Sequence, residues 1–153
     1  MANTYTQLYI HFVFAVQNRL SLIHEDWQTS LYKYMNGIIE QQGHKPFSIN
    51  GMPDHVHVLV SMNPTQAPSG LMYHVKRSSS LWINENKLAK KKFSWQEGFG
   101  AFSYGKSQIP TIINYIENQQ KHHMKETFIN EYLTFLRENQ IEFDDKYIFR
   151  PVY

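Results

Sequence analysis

The sequence predicts a single α+β domain, residues 1–153, in which helices cover an antiparallel sheet. Strand and helix signals alternate in the order β-α-β-β-α-β, with helical signal continuing after the last strand and no low-complexity linker or internal repeat between them. Hydrophobic residues make up 42% and aromatics 15% of 153 residues, enough for one buried core. The third strand signal, Pro53-Asp54-His55-Val56-His57-Val58-Leu59-Val60, is apolar on both faces apart from its histidines, as a central strand would be. This order is the split, ferredoxin-like one, which sets the first and third strands side by side in mid-sheet. The third helix is then free to lie across them. Many functions share that arrangement, so it decides none.

The first strand spans Tyr5 to Gln17, where Tyr, Ile, Phe and Val dominate. His11 stands in its middle beside Tyr9 and Val13 on one face, and reads as a satisfied core histidine rather than a direct ligand. From Glu25 to Gln42 the apolar residues Trp27, Leu31, Met35, Ile38 and Ile39 keep helical spacing; Glu25 and Asp26 suit the opening end and Gly43 the closing one. A strand from Lys45 to Gly51 leads to Met52-Pro53-Asp54, a turn signal. After a loop at Pro64–Gly70, Leu71, Val75, Ser79, Trp82 and Ile83 mark a second helix. Phe93 to Tyr104 is expected as the fourth strand, its Gly98 and Gly100 marking a bulge or a close backbone approach. The third helix runs from about Gln108 to His122, with Ser107 as a candidate cap, Pro110 in the first turn and Ile109, Ile112, Ile113 and Ile116 as its buried stripe. Phe128 to Asn139 forms a fourth helix, and the tail from Ile141 to Tyr153 packs on the body.

Two clusters bear on chemistry. In the strand at Pro53–Val60, His55, His57 and Leu59 share one face and Val56, Val58 and Val60 the other; the two histidine Cα atoms are about 6.6 Å apart. Lone strand histidines are ordinarily core residues bonded to a neighbour. Two on one face need partners at one place, so the pair reads as packed core or as a metal or phosphate site. Neither has an obvious partner in the sequence. On the third helix, Tyr115, Gln119 and His122 fall along one border of the isoleucine stripe.

Composition narrows the classes. Cysteine is absent, which excludes a disulfide framework, a cysteine zinc site and a thiol nucleophile. No apolar run approaches the ~18 residues of a membrane span, and no secretory leader pattern opens the chain, so a cytoplasmic protein is expected. The net charge of +2 permits a nucleic-acid partner without requiring one. Lys76, Arg77, Lys87, Lys90, Lys91 and Lys92 are candidates for a local phosphate track, although a lysine run is ordinarily a solvated loop.

Three features together resemble a known family: His55-Val56-His57 behind Pro53-Asp54; Tyr115-Ile116-Glu117-Asn118-Gln119 followed by His122-His123; and Phe93-Ser94-Trp95-Gln96 leading into Gly98-Phe99-Gly100-Ala101-Phe102-Ser103. In this order and at this length they resemble the single-tyrosine HUH transposases, the small transposase A proteins of the IS-two-hundred/IS-six-hundred-and-five insertion sequences. The similarity reaches from the first strand to Tyr147-Ile148-Phe149. It implies an enzyme that cuts and rejoins single-stranded DNA at element ends bearing imperfect hairpins. His55, His57 and Gln119 would be metal ligands and Tyr115 the nucleophile, in a homodimer whose subunits complete one another's sites. Imidazole ligands alone suggest zinc or another transition metal; the resemblance implies Mg²⁺ or Mn²⁺. Two other classes fit the residues: a non-catalytic module that stacks single-stranded nucleic acid on sheet aromatics, and a metal-dependent hydrolase that uses water and forms no protein–DNA adduct.

Overall fold

A computed structural model describes residues 3–122 and 127–143. His123, the side chain of His122 and the tail segment Tyr147-Ile148-Phe149 lie outside the described residues.

Four strands, β1 (Tyr9–Ala15), β2 (Lys45–Met52), β3 (His55–Ser61) and β4 (Gly100–Tyr104), form one antiparallel sheet in the order β2-β3-β1-β4. That is the predicted α+β, ferredoxin-like order, with β1 and β3 at its centre. Helix α1 (Glu25–Gln41) follows β1 and α2 (Pro68–Glu85) follows β3. Both lie on the face to which Phe12, Phe14, Val56, Val58 and Val60 point, and Leu31, Met35, Ile39, Leu71, Val75 and Ile83 close a single apolar cluster there. On the opposite face, Val13, Ala15 and Phe102 meet Phe128, Tyr132, Phe135 and Leu136 of α5 (Phe128–Glu138) in a second, smaller cluster.

The sequence misjudges four boundaries, the first being the loop expected at Pro64–Gly70, within which α2 already begins at Pro68. β1 is shorter than Tyr5–Gln17 because pairing to β3 and β4 begins only at Tyr9 and the chain leaves the sheet into a 3₁₀ turn at Gln17–Arg19. β4 starts at Gly100 instead of Phe93. Phe93 and Trp95 put their rings into the α1/α2 core, edge-on at 4.8 Å, and Gly98 turns the chain at φ +85°. Trp95 keeps one bridge, to Val16. Finally, the third helix is two: α3 (Ile109–Glu117) and a single turn, α4 (Gln119–His122), meet at Asn118. Of the predicted isoleucine stripe only Ile116 is fully buried, since α3 rests against β2 and β3 near the sheet margin and the other three are half-covered.

Candidate active site

The register of the sheet assembles the site. Opposite-strand neighbours point the same way, so the pairs Ala15–His55, Val13–His57 and His11–Leu59 place all three histidines on the α5 side. Across β2 and β3, Asn50 pairs with His57 and joins that face. The β2–β3 connection is tight at this end: a Cβ on Gly51 would lie 2.2 Å from the His55 carbonyl oxygen, so only glycine fits there.

Asp54, in the turn before β3, puts Oδ1 2.7 Å from His55 Nδ1. Burial pushes the Asp54 carboxyl up, but the hydrogen bond and charge of His55, helped by Arg19, outweigh it and hold the group below its usual range. His55 therefore does have a partner beside it, contrary to the sequence reading. A carboxylate only accepts, so Nδ1 of His55 donates to it and Nε2 faces the site. That Nε2 lies 3.3 Å from Gln119 Oε1 and 3.7 Å from Glu131 Oε1. His57 Nε2 is 3.0 Å from the same Glu131 oxygen, and His57 Nδ1 is 2.8 Å from Nε2 of His11.

Tyr115 and Gln119 arrive from above the sheet on α3 and α4. Asn50 Nδ2 holds the end of α3 by donating to the carbonyls of Ile116 at 3.0 Å and Glu117 at 3.2 Å, which the break at Asn118 leaves free. Gln120 locks the same corner through Gly51 O and Asn50. With the helix fixed there, the Tyr115 hydroxyl donates to Glu131 Oε2, and its ring meets that of His57 edge-on at 5.9 Å. Gln119 Nε2 reaches the same carboxylate oxygen at 3.5 Å.

Glu131 is the residue that sequence reasoning missed. It belongs to the buried stripe of α5 at helical spacing from Phe128 and Phe135, and is 2% exposed. A carboxylate in an otherwise apolar stripe was the available signal, because such a group is buried only with partners. Thr127 caps this helix and accepts from Asn130 N, while Phe128 stacks on His55 at 4.0 Å. His55, His57 and Gln119 have no solvent exposure.

His55, His57 and Glu131 each offer one ligand atom within 4.8 Å of the others. Two imidazole nitrogens and a carboxylate oxygen fit a divalent cation in donor type, and Gln119 Oε1 stands beside them. The third protein ligand implied by the resemblance, Gln119, thus shares its place with a carboxylate. His11 is as buried as expected but only half satisfied: its Nδ1 has no hydrogen-bond partner among the described residues. Burial, then His57, pushes its pKa well below the ordinary value against an opposing pull from Glu131, so the ring is neutral.

The tyrosine helix lies over the histidine pair of its own chain, where the resemblance implied exchange between subunits; Asn50 and Glu131 of the same chain hold it there. The basic candidates stand elsewhere. Lys76 and Arg77 are on α2, across the sheet from the histidines. Lys76 Nζ is engaged with the carbonyls of Gln96 at 2.9 Å and Gly98 at 2.5 Å, whereas Arg77, Lys87, Lys90, Lys91 and Lys92 are exposed.

A phenol brought to an imidazole pair on the central strand of such a sheet defines the single-tyrosine HUH transposases as a class. The comparisons agree. Residues 4–119 match the family described as Transposase IS200 like, and the chain belongs to that family. The curated ISDra2 transposase TnpA of Deinococcus radiodurans is 26% identical over 118 aligned positions, an alignment that covers 74% of this chain and 84% of that protein. A crystal structure of a candidate transposase from Deinococcus radiodurans R1 superimposes with a TM-score of 0.63 at 20% identity, over 78% of this chain and 95% of its own. A REP-associated tyrosine transposase solved with a REP hairpin gives 0.60 at 14% identity, over 80% and 73%. The family match stops at Gln119, so Glu131 and α5 lie beyond it. No helix among the described residues is long and apolar enough to cross a membrane.

Proposed function

We propose that this transposase cuts and rejoins single-stranded DNA at insertion-sequence ends, with Tyr115 as nucleophile and a covalent 5′-phosphotyrosine intermediate. The observation that carries the reading is the meeting of Tyr115 and the histidine pair at one carboxylate, Glu131: Oε2 accepts the phenol while Oε1 faces both imidazoles. His55, His57 and Glu131, with Gln119 beside them, would hold a divalent cation, Mg²⁺ or Mn²⁺. Bound there, the cation would polarise the scissile phosphate and offset its developing charge.

The chain's own groups supply the rest. A tyrosine hydroxyl ionises at about 10 and is a weak nucleophile at neutral pH. Glu131 fixes its direction and takes up the phenol proton as the oxygen attacks phosphorus. The new bond is phosphorus to the Tyr115 oxygen; the bond broken is phosphorus to the 3′ oxygen, which leaves as a hydroxyl after gaining a proton from water. Attack by a 3′ hydroxyl reverses the step without ATP, because the phosphodiester is conserved in the adduct.

For the substrate we favour single strands carrying a hairpin; the REP-associated relative solved with a REP hairpin supports this. Arg77, Lys87, Lys90, Lys91 and Lys92 would add a salt-sensitive phosphate track. The test uses a labelled single-stranded oligonucleotide with a hairpin and Mn²⁺. Wild-type protein is expected to form a denaturant-resistant adduct on the 5′ end of the cleaved strand, and Tyr115→Phe to bind the DNA and form none. An adduct in that variant would move the role to another tyrosine, with Tyr104 and Tyr132 the next candidates. Cleavage without any adduct would make water the nucleophile and establish the hydrolase reading.

A homodimer of such chains would carry a self-contained site in each subunit. Mixing His57→Ala with Tyr115→Phe protein is therefore expected to restore nothing; recovered cleavage would show that the tyrosine helix crosses between subunits.

A further inference from the structure

We propose that His11 is a positioning residue for the cation site: its Nε2 accepts the Nδ1 proton of His57, which keeps the Nε2 lone pair of His57 aimed at a divalent cation. The inference rests on the metal-site reading given above and extends it to a residue that cannot itself reach the cation.

The geometry is specific. His11 Nε2 and His57 Nδ1 are 2.8 Å apart, and the two rings lie 25° from parallel with centroids 5.1 Å apart. His57 Nε2 points away from His11, to Glu131 Oε1 at 3.0 Å. Metal-bound imidazole must present a lone pair, so a cation at Nε2 requires the ring proton on Nδ1, and that proton needs an acceptor. His11 Nε2, 2.8 Å away, is placed to provide one.

The environment of His11 argues the same way. Its ring sits among Phe102 at 6.1 Å, Tyr104 at 6.2 Å and Phe135 at 5.2 Å, with no solvent exposure. A phenylalanine would suit that cage but would take away the partner of His57 Nδ1, whereas His11 leaves only its own Nδ1 without a partner among the described residues. Packing alone gives no reason for a histidine there.

The two site histidines are thus oriented by partners of different kinds. Asp54 only accepts, and holds His55 in one tautomer. His11 both donates and accepts, so His57 has two. Without a cation, His57 Nε2–H donates to Glu131 and His11 Nε2–H to His57 Nδ1. With a cation at Nε2, both rings carry their protons on Nδ1.

The test is made on the whole chain without DNA. Mn²⁺ affinity is measured by calorimetry for wild type, His11→Phe and His11→Gln, and the ¹⁵N pattern of His57 is recorded with and without saturating Mg²⁺. The proposal expects His11→Phe to fold and to bind Mn²⁺ about 10- to 100-fold more weakly, the loss typical of removing such an outer partner. His11→Gln, whose amide oxygen can accept the same proton, should regain most of the affinity. In wild type, Mg²⁺ should move the His57 proton to Nδ1. Wild-type affinity in His11→Phe, or a His57 proton that stays on Nε2 in the Mg²⁺ form, overturns the proposal while leaving the metal site intact. Equal losses in both variants, with no rescue by glutamine, reduce His11 to a packing role and overturn it too. If wild-type protein binds no Mn²⁺, the metal-site reading falls and this proposal with it.

Discussion

On one face of the sheet, Phe12, Phe14, Val56, Val58 and Val60 meet α1 and α2 without a titratable side chain among the cluster's buried members. On the other, Val13, Ala15 and Phe102 share their layer with His11, His55, His57, Gln119 and Glu131, all buried. Alternation along β1 and β3 makes this division, since each strand sends successive side chains to opposite layers. The first face supplies apolar burial. The second gives some of it up to hold polar groups in register, and can do so because the first is complete. Stability and chemistry can therefore be perturbed separately, although the same two strands carry both.

The widest separation is expected from two substitutions on neighbouring strands. His57→Ala on the polar face should lower cation-dependent cleavage by more than about 1000-fold, several kcal/mol of lost transition-state stabilisation, while the protein still unfolds cooperatively. Phe12→Ala on the apolar face should cost about 3–5 kcal/mol of stability and leave turnover per folded molecule unchanged. Denaturant titration beside a single-turnover cleavage assay reads both. Parallel losses of stability and rate in either variant would break the division.

A smaller effect is expected at the join between the sheet and the tyrosine helix. Asn50→Asp removes the donor that serves the Ile116 and Glu117 carbonyls and sets a negative charge against them. Two under-satisfied carbonyls correspond to about 1–3 kcal/mol, part of it relieved by water, so adduct formation should slow about tenfold with DNA affinity retained. An unchanged rate would mean that Tyr115 is held by Glu131 alone.

The smallest effect belongs to the rim of the apolar face. Lys76 lies over Phe14 and Phe99, and burial, opposed by Glu97, pulls its pKa from 10.5 to about 8. Between those values the unfolded chain holds the proton that the folded chain has released, so this group makes stability rise with pH from about 8. The buried tyrosines act oppositely once unfolded tyrosine ionises near 10; Tyr104 and Tyr132, for example, are raised to about 12 in the fold, by burial and, for Tyr104, also by Glu138. The gain is thus confined to roughly pH 8–10, and solvent screening of this half-buried group keeps it to about 1 kcal/mol or less. Chemical denaturation at pH 8 and 9.5 should show the gain in wild type and not in Lys76→Met.

How much of this was legible in the sequence depended on the range of the interaction. The pattern of β3 gave the histidine face because alternation is local, and the spacing of Tyr115 and Gln119 gave their common border because one helical turn is local. The break at Asn118 was not legible: it depends on a side chain from β2, 66 positions away from Ile116. Nor was the role of Glu131, because a carboxylate in a helical stripe declares its partners only once the helix is docked. The basic residues of α2 looked like surface charge at both positions, yet Lys76 is tied to two carbonyls and Arg77 is exposed to solvent. Sequence spacing alone does not distinguish adjacent residues on the two sides of a helix rim.

Glu131 follows His57 in the chain by 74 positions and comes from the last helix described. The sheet needs only residues up to Tyr104, so on the ribosome it can form before α5 has been made. A nascent chain at that stage has its histidine pair in place and no carboxylate to join it to the tyrosine. Products released early, or trimmed before α5, would lack the carboxylate that joins the histidine pair to the tyrosine. The order of translation thus delays the DNA-cutting centre until nearly all the described chain has emerged.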